Sequence, residues 1–471
     1  MPRHLRIVSI SVASAAAIGL CAVTGVAPPA SAEPCTDAAA AAQPQVPEAP
    51  PAPLPTTGGP PVGHRPAYAR TGSPLPKVGQ LSRAVLNAFT AQNGQVKKQA
   101  GVAPPPIPPA PAQQSPDAAQ EIPQAAPAPA PAPPPADPPG TSLVGWVTGP
   151  NSSNNTLQRF AVSGTDLGIM WDNGSRQILM AFGDTSGYCS APGHQWRYNV
   201  LMRSQDDSLA DTVKVANSPL WAQGISRQII NSTKWAPDET GIIPTAGISV
   251  GGKQYLNYMS IKSWDANGAW TTNYSAIAVS PDNGDRWGIY PGSVRTPREG
   301  AIPGARHAPG NENFQQGAFM KPGPGDPYIY SFGTPAGRSG SAYVSRVAPG
   351  AIPDPTGYEY WNSDRNAWVP GDPGAATPVI PGPVGEMSTQ YNTYLRQYLA
   401  MYCNGANDVV FRTAPAPQGP WSPEQLLVPS MQYPGGIYAP FLHPWSTGKT
   451  VYFNLSEWND YNVMLMKTVL P

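Results

Sequence analysis

From about Ser142 onward, apolar residues occur in short runs separated by turns rich in Gly, Asn, Asp and Pro, with almost no helical spacing. Such runs between turn residues are typical of β-strands. A unit of an apolar strand, a turn, an aromatic-rich strand and a third strand recurs five times, at intervals of about 50 to 75 residues. The copies begin near Leu167, Ile242, Gly317, Met387 and Ile437. Residues 141–471 are therefore predicted to form an all-β, five-bladed β-propeller, and a sandwich or jelly roll is the alternative.

The first copy contains a hairpin bracketed by Asp166 and Asp184. Residues 167–171 and 178–182 are apolar, and residues 172–175 (Asp-Asn-Gly-Ser) have the composition of a turn. Antiparallel pairing puts the two aspartates at the same end of the hairpin, about one diagonal step apart, which means roughly 7–8 Å between Cβ atoms. Glycosidase carboxylates are separated by roughly 5–9 Å. The two aspartates are therefore a candidate catalytic pair, although Asp at a strand end is also common as a turn-capping residue.

A second local motif lies at residues 280–287, SPDNGDRW, which fits the pattern SxDxGxxW. It resembles the Asp-box of sialidase-like propellers, a turn between outer strands in which Ser and Asp cap the turn, Gly supplies the tight backbone and Trp packs beneath. The motif predicts a structural turn. Sialidase activity is not favoured, because no set of arginines suited to an acidic sugar is evident. Residues 157–162 (LQRFAV) and 461–470 are predicted to contribute to ring closure.

The first 140 residues have a different composition. Residues 1–32 combine a basic start, an apolar run over residues 7–26 and Ala-Ser-Ala at residues 30–32, which predicts a signal peptide cleaved before Glu33; a signal anchor is the alternative. Residues 33–140 are dominated by Pro and Ala and are predicted to be a disordered tether, with one short helix near residues 80–93. No later stretch is long and apolar enough to span a membrane, so we expect a secreted or cell-envelope protein.

Charge and histidine content limit the classes of partner. The formal net charge is zero and charged residues make up 12% of the chain, which gives no indication of nucleic-acid or anionic-membrane binding. A neutral polymer suits such a surface better. The five histidines form no HExxH motif and there is no GxSxG motif. We therefore expect no metal, no other cofactor and a monomeric protein.

Three cysteines remain after signal-peptide removal: Cys35, Cys189 and Cys403. They are too widely spaced for a zinc motif. Cys189 and Cys403 both lie in the predicted propeller, so they are the preferred disulfide in an oxidising compartment, with Cys35 left as a free thiol.

The innermost strand of each propeller blade lines a central funnel, where residues distant in sequence converge. Amides and carboxylates can hydrogen-bond sugar hydroxyls, while Tyr and Trp faces accept the C–H side of a sugar ring. The candidate substrate-binding residues chosen on this basis are Arg197, Asn199, Gln316, Glu386, Gln390, Tyr391, Asn392, Tyr438, Trp458, Tyr461 and Asn462. Glycoside hydrolysis needs one protonated and one ionised carboxyl group, the roles predicted for Asp166 and Asp184.

Several motifs together resemble one known family. These motifs are GTDLGIMWDNG, LMAFGDT, WRYNVLMRS, NENFQQGAF with YIYSFGTPAGR, VGEMSTQYN, and GGIYAPFLHPWS followed by YFNLSEWNDYNVMLM. Over about residues 142–471 the chain is similar to secreted actinobacterial endo-D-arabinanases of glycoside hydrolase family 183. The resemblance implies a five-bladed propeller that cleaves internal linkages of D-arabinan, the furanose polymer of cell-wall arabinogalactan and lipoarabinomannan. It also implies that Asp166 and Asp184, in the GTD and FGD motifs, are the catalytic pair. A non-catalytic propeller that binds envelope glycans is the alternative.

Overall fold

The computed structural model describes residues 35, 43, 140–265 and 269–471. The predicted signal peptide, the predicted helix near residues 80–93 and nearly all of the predicted tether lie outside the described residues. The described domain is built almost entirely from antiparallel β-strands.

The strands are grouped in five blades. The domain begins with β1 (Thr141–Trp146) and the short helix α1 (Thr156–Phe160). The first blade contains β2 (Leu167–Asp172), β3 (Ile178–Phe182), β4 (Val200–Ser204) and β5 (Val215–Asn217), and is followed by a small hairpin of β6 (Leu220–Ala222) and β7 (Ile225–Ser226). The second contains β8 (Gly241–Val250), β9 (Lys253–Trp264), β10 (Trp270–Ser280) and β11 (Gly288–Arg295).

The third blade contains β12 (Gln316–Met320), β13 (Ile329–Thr334), β14 (Tyr343–Val347), β15 (Glu359–Asn362) and β16 (Ala367–Pro370). The fourth contains β17 (Met387–Asn392), β18 (Gln397–Cys403), β19 (Val409–Ala414) and β20 (Gln425–Val428). The fifth contains β21 (Ile437–Leu442), β22 (Thr450–Glu457) and β23 (Asn462–Val469). Short 3₁₀ helices lie in the connections, at Pro192–Gln195, Asn311–Phe314, Pro349–Ala351, Pro355–Gly357, Pro373–Ala375 and Ser430–Gln432.

The blades surround one central axis. In the first four blades the order of strands in the sheet follows the chain. The first strand of each blade packs against the first strands of both neighbours, which makes β2, β8, β12, β17 and β21 the inner ring. The first residues of β2, β12 and β17 line one end of the central channel, and later residues of all five inner strands line the other end. The predicted all-β, five-bladed propeller is confirmed.

Strands from both ends of the domain close the ring. β1 is the outermost strand of the fifth blade and pairs with β23, with Thr141 opposite Thr468 and Trp146 opposite Met464. The prediction for residues 461–470 is therefore confirmed. Most of residues 157–162 belongs to α1, whose two flanking residues, Asn155 and Ala161, have left-handed backbone angles. The segment contributes to the closing seam by packing, because Phe160 and Val162 lie in the apolar cluster between the first and fifth blades.

The core lies between blades, with one apolar cluster for each neighbouring pair. Between the fourth and fifth blades, for example, Leu399 and Met401 pack with Leu455 and Met464. Each central strand is therefore covered on both faces and can be apolar at every position. β3 has the sequence ILMAF and is buried throughout.

The Asp-box motif forms the turn between β10 and β11, the two outer strands of the second blade. The Ser280 hydroxyl donates to Asp282 Oδ1 at 2.9 Å and accepts from the Gly284 backbone N–H at 2.8 Å. The Trp287 indole N–H donates to the Gly284 carbonyl at 3.0 Å, and Gly284 adopts a φ of +84°, which favours glycine. The predicted structural turn is confirmed.

The disulfide joins Cys35 to Cys189, with 5.1 Å between their Cα atoms. The predicted Cys189–Cys403 bridge is therefore wrong. Cys403 is a buried free thiol at the end of β18, packed between the fourth and fifth blades. Cys189 lies in the first blade, between β3 and β4, so the two sulfur atoms belong to different parts of the ring. The backbone N–H of Cys189 also donates to the side chain of Gln43 at 3.0 Å.

Candidate active site

One end of the central channel opens into a cavity of about 650 Å³, counted with its mouth, which we call the proximal cavity. The first residues of inner strands form much of its wall. The lining residues are Asp166, Leu167, Asp184, Ile243, Pro244, Thr245, Met259, Trp264, Trp270, Gln316, Gly317, Thr334, Arg338, Glu386, Met387, Phe441, Trp458 and Tyr461. All five blades contribute, so the cavity combines residues that are distant in sequence.

The two aspartates reach this cavity because the β2–β3 hairpin ends there. Leu167 pairs with Phe182, and the hydroxyls of Thr165 and Thr185, the neighbours of Asp166 and Asp184, are hydrogen-bonded at 2.7 Å. The Gly183 backbone N–H donates to the Asp166 carbonyl at 3.2 Å. These contacts fix both aspartates at one end of one hairpin, as predicted.

The Asp166 carboxyl group is held by contacts on two sides. The Tyr438 hydroxyl, from β21, donates to Asp166 Oδ2 at 2.9 Å. On the other side Oδ1 lies against Gly183, where an added Cβ would be only 2.4 Å away. The next residue, Leu167, has a φ of +71°, an unusual backbone angle for a side chain of this size. Glycine at position 183 therefore makes room for the carboxyl group.

Burial raises the pKa of Asp166 from its ordinary value of 3.8 to about 7. This pKa is the net result: the Tyr438 hydrogen bond and the positive charge of Arg338 oppose the effect of burial, and the negative charge of Glu386 adds to it. Burial dominates because the charged form loses its hydration inside the cavity wall. A carboxyl group with this pKa can carry a proton near neutral pH and donate it.

Asp184 follows β3 and is 4% exposed. Its backbone carbonyl accepts a hydrogen bond from the Tyr461 hydroxyl at 3.1 Å. Tyr461 itself lines the proximal cavity and has a φ of +48°. The blade that closes the ring thus fixes the backbone of the second aspartate.

An ion pair also lines this cavity. Arg338 contacts Glu386 through two bonds, from Nη2 to Oε1 at 2.5 Å and from Nε to Oε2 at 3.0 Å. The guanidinium also lies 4.8 Å from the ring centroid of Trp270, 5.4 Å from that of Tyr438 and 5.7 Å from that of Trp458. The bidentate geometry and the aromatic faces hold Arg338 in one orientation.

Aromatic and amide groups complete the proximal cavity. Trp458 stacks on Tyr438 with 4.2 Å between ring centroids and 25° between planes. Trp264 and Trp270 contact each other edge-on at 6.2 Å. Gln316 donates to the carbonyls of Pro335 and Gly337 at 2.9 and 2.7 Å. The cavity thus presents aromatic surface beside carboxyl and amide groups.

Three predicted substrate-binding residues have structural contacts away from this cavity. The Arg197 guanidinium donates to the carbonyls of Phe160, Ala161 and Ser226, and burial lowers its pKa to about 9. Asn199 donates to the carbonyls of Ile230 and Ile242 at 3.0 and 2.9 Å.

Asn462 is the third of these residues. Its amide donates to the carbonyls of Ser163 and Asp460, and its carbonyl oxygen accepts from Thr148. Asn462 therefore joins the closing strand to the first blade. None of the three lines the proximal cavity within the described residues.

The predicted segment Gln390–Tyr391–Asn392 is at the wrong end of its strand for this cavity. β17 begins beside the proximal cavity at Met387, and its last residues lie at the other end of the channel. Gln390 and Tyr391 line a second, open cavity there of about 1100 Å³, which we call the distal cavity. Asn392 is buried and donates to the Gly448 carbonyl at 3.0 Å.

Of the predicted set, Asp166, Asp184, Gln316, Glu386, Trp458 and Tyr461 therefore meet at the proximal cavity. Tyr438 lies directly behind them, bonded to Asp166. Sequence reasoning did not select Arg338, Trp264 or Trp270 as site residues. Arg338 is the last residue of the motif YIYSFGTPAGR and follows β13, the second strand of its blade. Its place in that motif was the available signal.

Within the described residues, no three His, Cys, Asp or Glu side chains are grouped in a way that could hold a metal ion. In the same part of the chain, no helix has the length and apolar character required to cross a membrane.

A family model described as "Domain of unknown function (DUF4185)" matches residues 151–467, which include all five inner strands and the proximal cavity. The chain belongs to the DUF4185 family. Notoamide biosynthesis cluster protein J′ of Aspergillus versicolor is 27% identical to this DUF4185 protein over 319 residues, covering 64% of this chain and 83% of the fungal one. Protein J of the corresponding cluster in Aspergillus sp. (strain MF297-2) is also 27% identical, over 321 residues, with 64% and 82% covered.

Among solved structures, an α-L-arabinofuranosidase from Podospora anserina has a TM-score of 0.40 and 12% identity to this DUF4185 protein, covering 71% of this chain and 98% of the other. A glycosyl hydrolase from Bacteroides ovatus also has a TM-score of 0.40, with 10% identity and 70% and 94% covered. The family description names no reaction.

Proposed function

We propose that this protein is a glycoside hydrolase that cleaves D-arabinofuranosyl linkages within arabinan. The observation that carries the proposal is a pair of carboxyl residues at one end of the β2–β3 hairpin, in an aromatic-lined cavity: Asp184 is buried, and Asp166 is half-buried with an inaccessible Oδ1. One of the two, Asp166, has a pKa raised to about 7 by burial. Glycosidases need such a carboxyl group as proton donor beside a second carboxylate.

In this mechanism Asp166 is the general acid. Its carboxyl proton passes to the glycosidic oxygen as the bond from that oxygen to the anomeric carbon breaks. The Asp184 carboxylate either activates a water molecule or attacks the anomeric carbon, and the developing positive charge on the sugar is stabilised by the negative groups around it. Tyr438 orients Asp166 through its hydrogen bond, and the Trp458 face provides apolar surface for a sugar ring.

D-Arabinan is the proposed substrate because the motifs around Asp166, Asp184 and Glu386 resemble those of the endo-D-arabinanases. The zero net charge and the neutral, aromatic character of much of the wall agree with an uncharged polysaccharide. Export is part of the proposal, supported by the signal-like residues 1–32 and by the Cys35–Cys189 disulfide, since such bonds persist in oxidising compartments.

The decisive experiment is digestion of purified D-arabinan. We expect the wild-type protein to release a series of oligosaccharides, and we expect Asp166→Asn and Asp184→Asn each to lower the rate about 100-fold to 10,000-fold, the range of an acid–base contribution. Asp364→Asn, an exposed carboxylate in the turn between β15 and β16, is the matched control and should keep full activity.

Two results would contradict the proposal. Full activity in both active-site variants would remove the carboxylates from the chemistry. Binding of arabinan without any product after long incubation would instead favour the non-catalytic glycan-binding propeller.

A further inference from the structure

The distal cavity lies at the other end of the central channel from the carboxyl pair. The later residues of inner strands form much of its wall, including Ser249 on β8, Phe319 on β12 and Tyr391 on β17. Thr245, Met387 and Phe441 line both cavities and therefore lie at the boundary between them. The distal cavity is the larger of the two, with about 1100 Å³ compared with about 650 Å³, each counted with its mouth.

Two polar atoms in its wall lack a hydrogen-bond partner within the described structure. They are Thr389 Oγ1 and Gln390 Oε1, in residues that are only 9% and 8% exposed. The amide nitrogen of Gln390 is fixed by a bond to the Ser446 carbonyl at 3.2 Å, so the side chain is oriented. Buried polar atoms without partners are destabilising. Both residues line the distal cavity, and because consecutive strand residues face opposite sides, separate ligand hydroxyls are needed to satisfy the two atoms.

Aromatic surface lies beside these atoms. Phe319 and Tyr391 are partly exposed and belong to inner strands of adjacent blades. The Tyr391 ring is supported edge-on by Tyr398 at 5.2 Å. A Cβ at Gly323 would lie 2.9 Å from the Tyr391 ring. Any larger residue at position 323 would therefore clash with the ring in its present position. Flat aromatic faces next to hydrogen-bonding groups are the usual means by which a protein holds a sugar ring.

The charges in the wall favour an uncharged ligand. Lys321 and Asp172 contribute one charge of each sign. The Asp172 carboxylate already accepts from the Gly174 backbone N–H and from the Trp445 indole N–H. Ser249, Ser388 and Thr447 add neutral hydroxyl groups. This composition offers no cationic cluster for a phosphate or an acidic sugar.

We propose that the distal cavity is a second glycan-binding site, which holds a neutral oligosaccharide separately from the proximal cavity. Phe319 and Tyr391 contact the apolar face of a sugar, and Thr389 and Gln390 bond to its hydroxyls. This proposal depends on the proposed function in one respect only, which is the choice of arabinan as the first probe. It would let the protein remain attached to a polysaccharide while the carboxyl pair acts elsewhere on it.

The test is calorimetric titration in an Asp166→Asn background, where cleavage is suppressed. The probes are a D-arabinofuranose hexasaccharide, xylohexaose and maltohexaose. We expect two binding events per chain with at least one probe. Thr389→Val should weaken one event about tenfold, the loss of roughly one hydrogen bond, without lowering the melting temperature, because the deleted hydroxyl has no partner in the free protein. Phe319→Ala should weaken the same event at least as much.

Thr377→Val is the matched control, since its partly exposed hydroxyl bonds to Ser363 outside both cavities. It should leave both events unchanged. The proposal is overturned if none of the three probes gives a second event, or if Thr389→Val and Phe319→Ala leave every affinity unaltered. If the wild-type protein cleaves no arabinan but keeps the binding event that Thr389→Val weakens, the proposed hydrolase activity is refuted and the distal site is retained. If the protein cleaves arabinan but shows a single binding event, the distal site is refuted and the hydrolase activity is retained.

Discussion

Ionisation of the Asp166 carboxyl group is disfavoured in the folded protein. This group is enclosed by the cavity wall, with one hydrogen bond from Tyr438, and its pKa is raised to about 7. Between about pH 4 and pH 7 the folded protein therefore holds a proton that the unfolded chain releases. The unfolded state binds fewer protons in this window, so the free energy of unfolding falls as pH rises through it.

Asp166→Asn removes this titration. We expect the variant to melt at a higher temperature than the wild type at pH 8, where Asp166 is ionised within the cavity wall, and the difference to shrink at pH 5, where Asp166 is protonated. Thermal denaturation followed by circular dichroism at the two pH values measures it. Asp364→Asn should show no such pH-dependent difference, and an Asp166→Asn variant less stable than the wild type at pH 8 would contradict the assignment.

The Tyr438 hydroxyl stabilises the ionised form of Asp166 and so lowers its pKa. Activity that needs protonated Asp166 should decline above about pH 7, and Tyr438→Phe should move this decline to higher pH because the stabilising bond is lost. A pH profile of kcat/KM on arabinan measures the shift. Tyr461→Phe is the matched control, since that hydroxyl bonds to the Asp184 backbone carbonyl; an equal shift in both variants would argue against a specific role for Tyr438.

At the scale of elements, the β2–β3 hairpin fixes the carboxyl pair through close backbone approach. Gly183 has no side chain, and an added Cβ would lie 2.4 Å from Asp166 Oδ1 and 3.1 Å from Leu167 Cδ1. Gly183, directly after β3, therefore leaves the space that the Asp166 carboxyl group occupies.

Gly183→Ala should push the Asp166 carboxyl group out of position. We expect kcat on arabinan to fall about 10-fold to 100-fold, since a displacement near 1 Å can have an effect of this size, while far-UV circular dichroism stays unchanged. Gly350→Ala is the control, because a Cβ there meets nothing within 4 Å. Equal activity in the two variants would show that the carboxyl group tolerates displacement.

At the scale of the whole molecule, the pairing of β1 with β23 and the Cys35–Cys189 disulfide each join segments that are distant in sequence and so stabilise the folded domain. The disulfide spans 154 residues and restricts the unfolded chain strongly. Cys189→Ser should lower the free energy of unfolding by about 2–4 kcal/mol, measured by denaturant titration. Cys403→Ser should leave the disulfide intact, and a Cys189–Cys403 peptide in a non-reducing digest would contradict this pairing.

Local patterns in the sequence were sufficient to predict the five blades. The predicted starts at Leu167, Met387 and Ile437 coincide with the first residues of β2, β17 and β21. Strand burial, turn chemistry and the pairing of the Asp166–Asp184 hairpin all depend on residues close in sequence, so the sequence by itself determined the propeller and brought the two carboxylates together.

Only the tertiary structure decided which residues share the cavity with that pair. A strand of six residues spans about 20 Å, so Glu386 and Gln390, four positions apart, face opposite ends of the channel. The Arg338–Glu386 contact joins two blades, and the Cys35–Cys189 disulfide joins the N-terminal segment to the first blade. These contacts depend on how the blades are arranged around the axis, and no local pattern of apolar and polar residues encodes that arrangement.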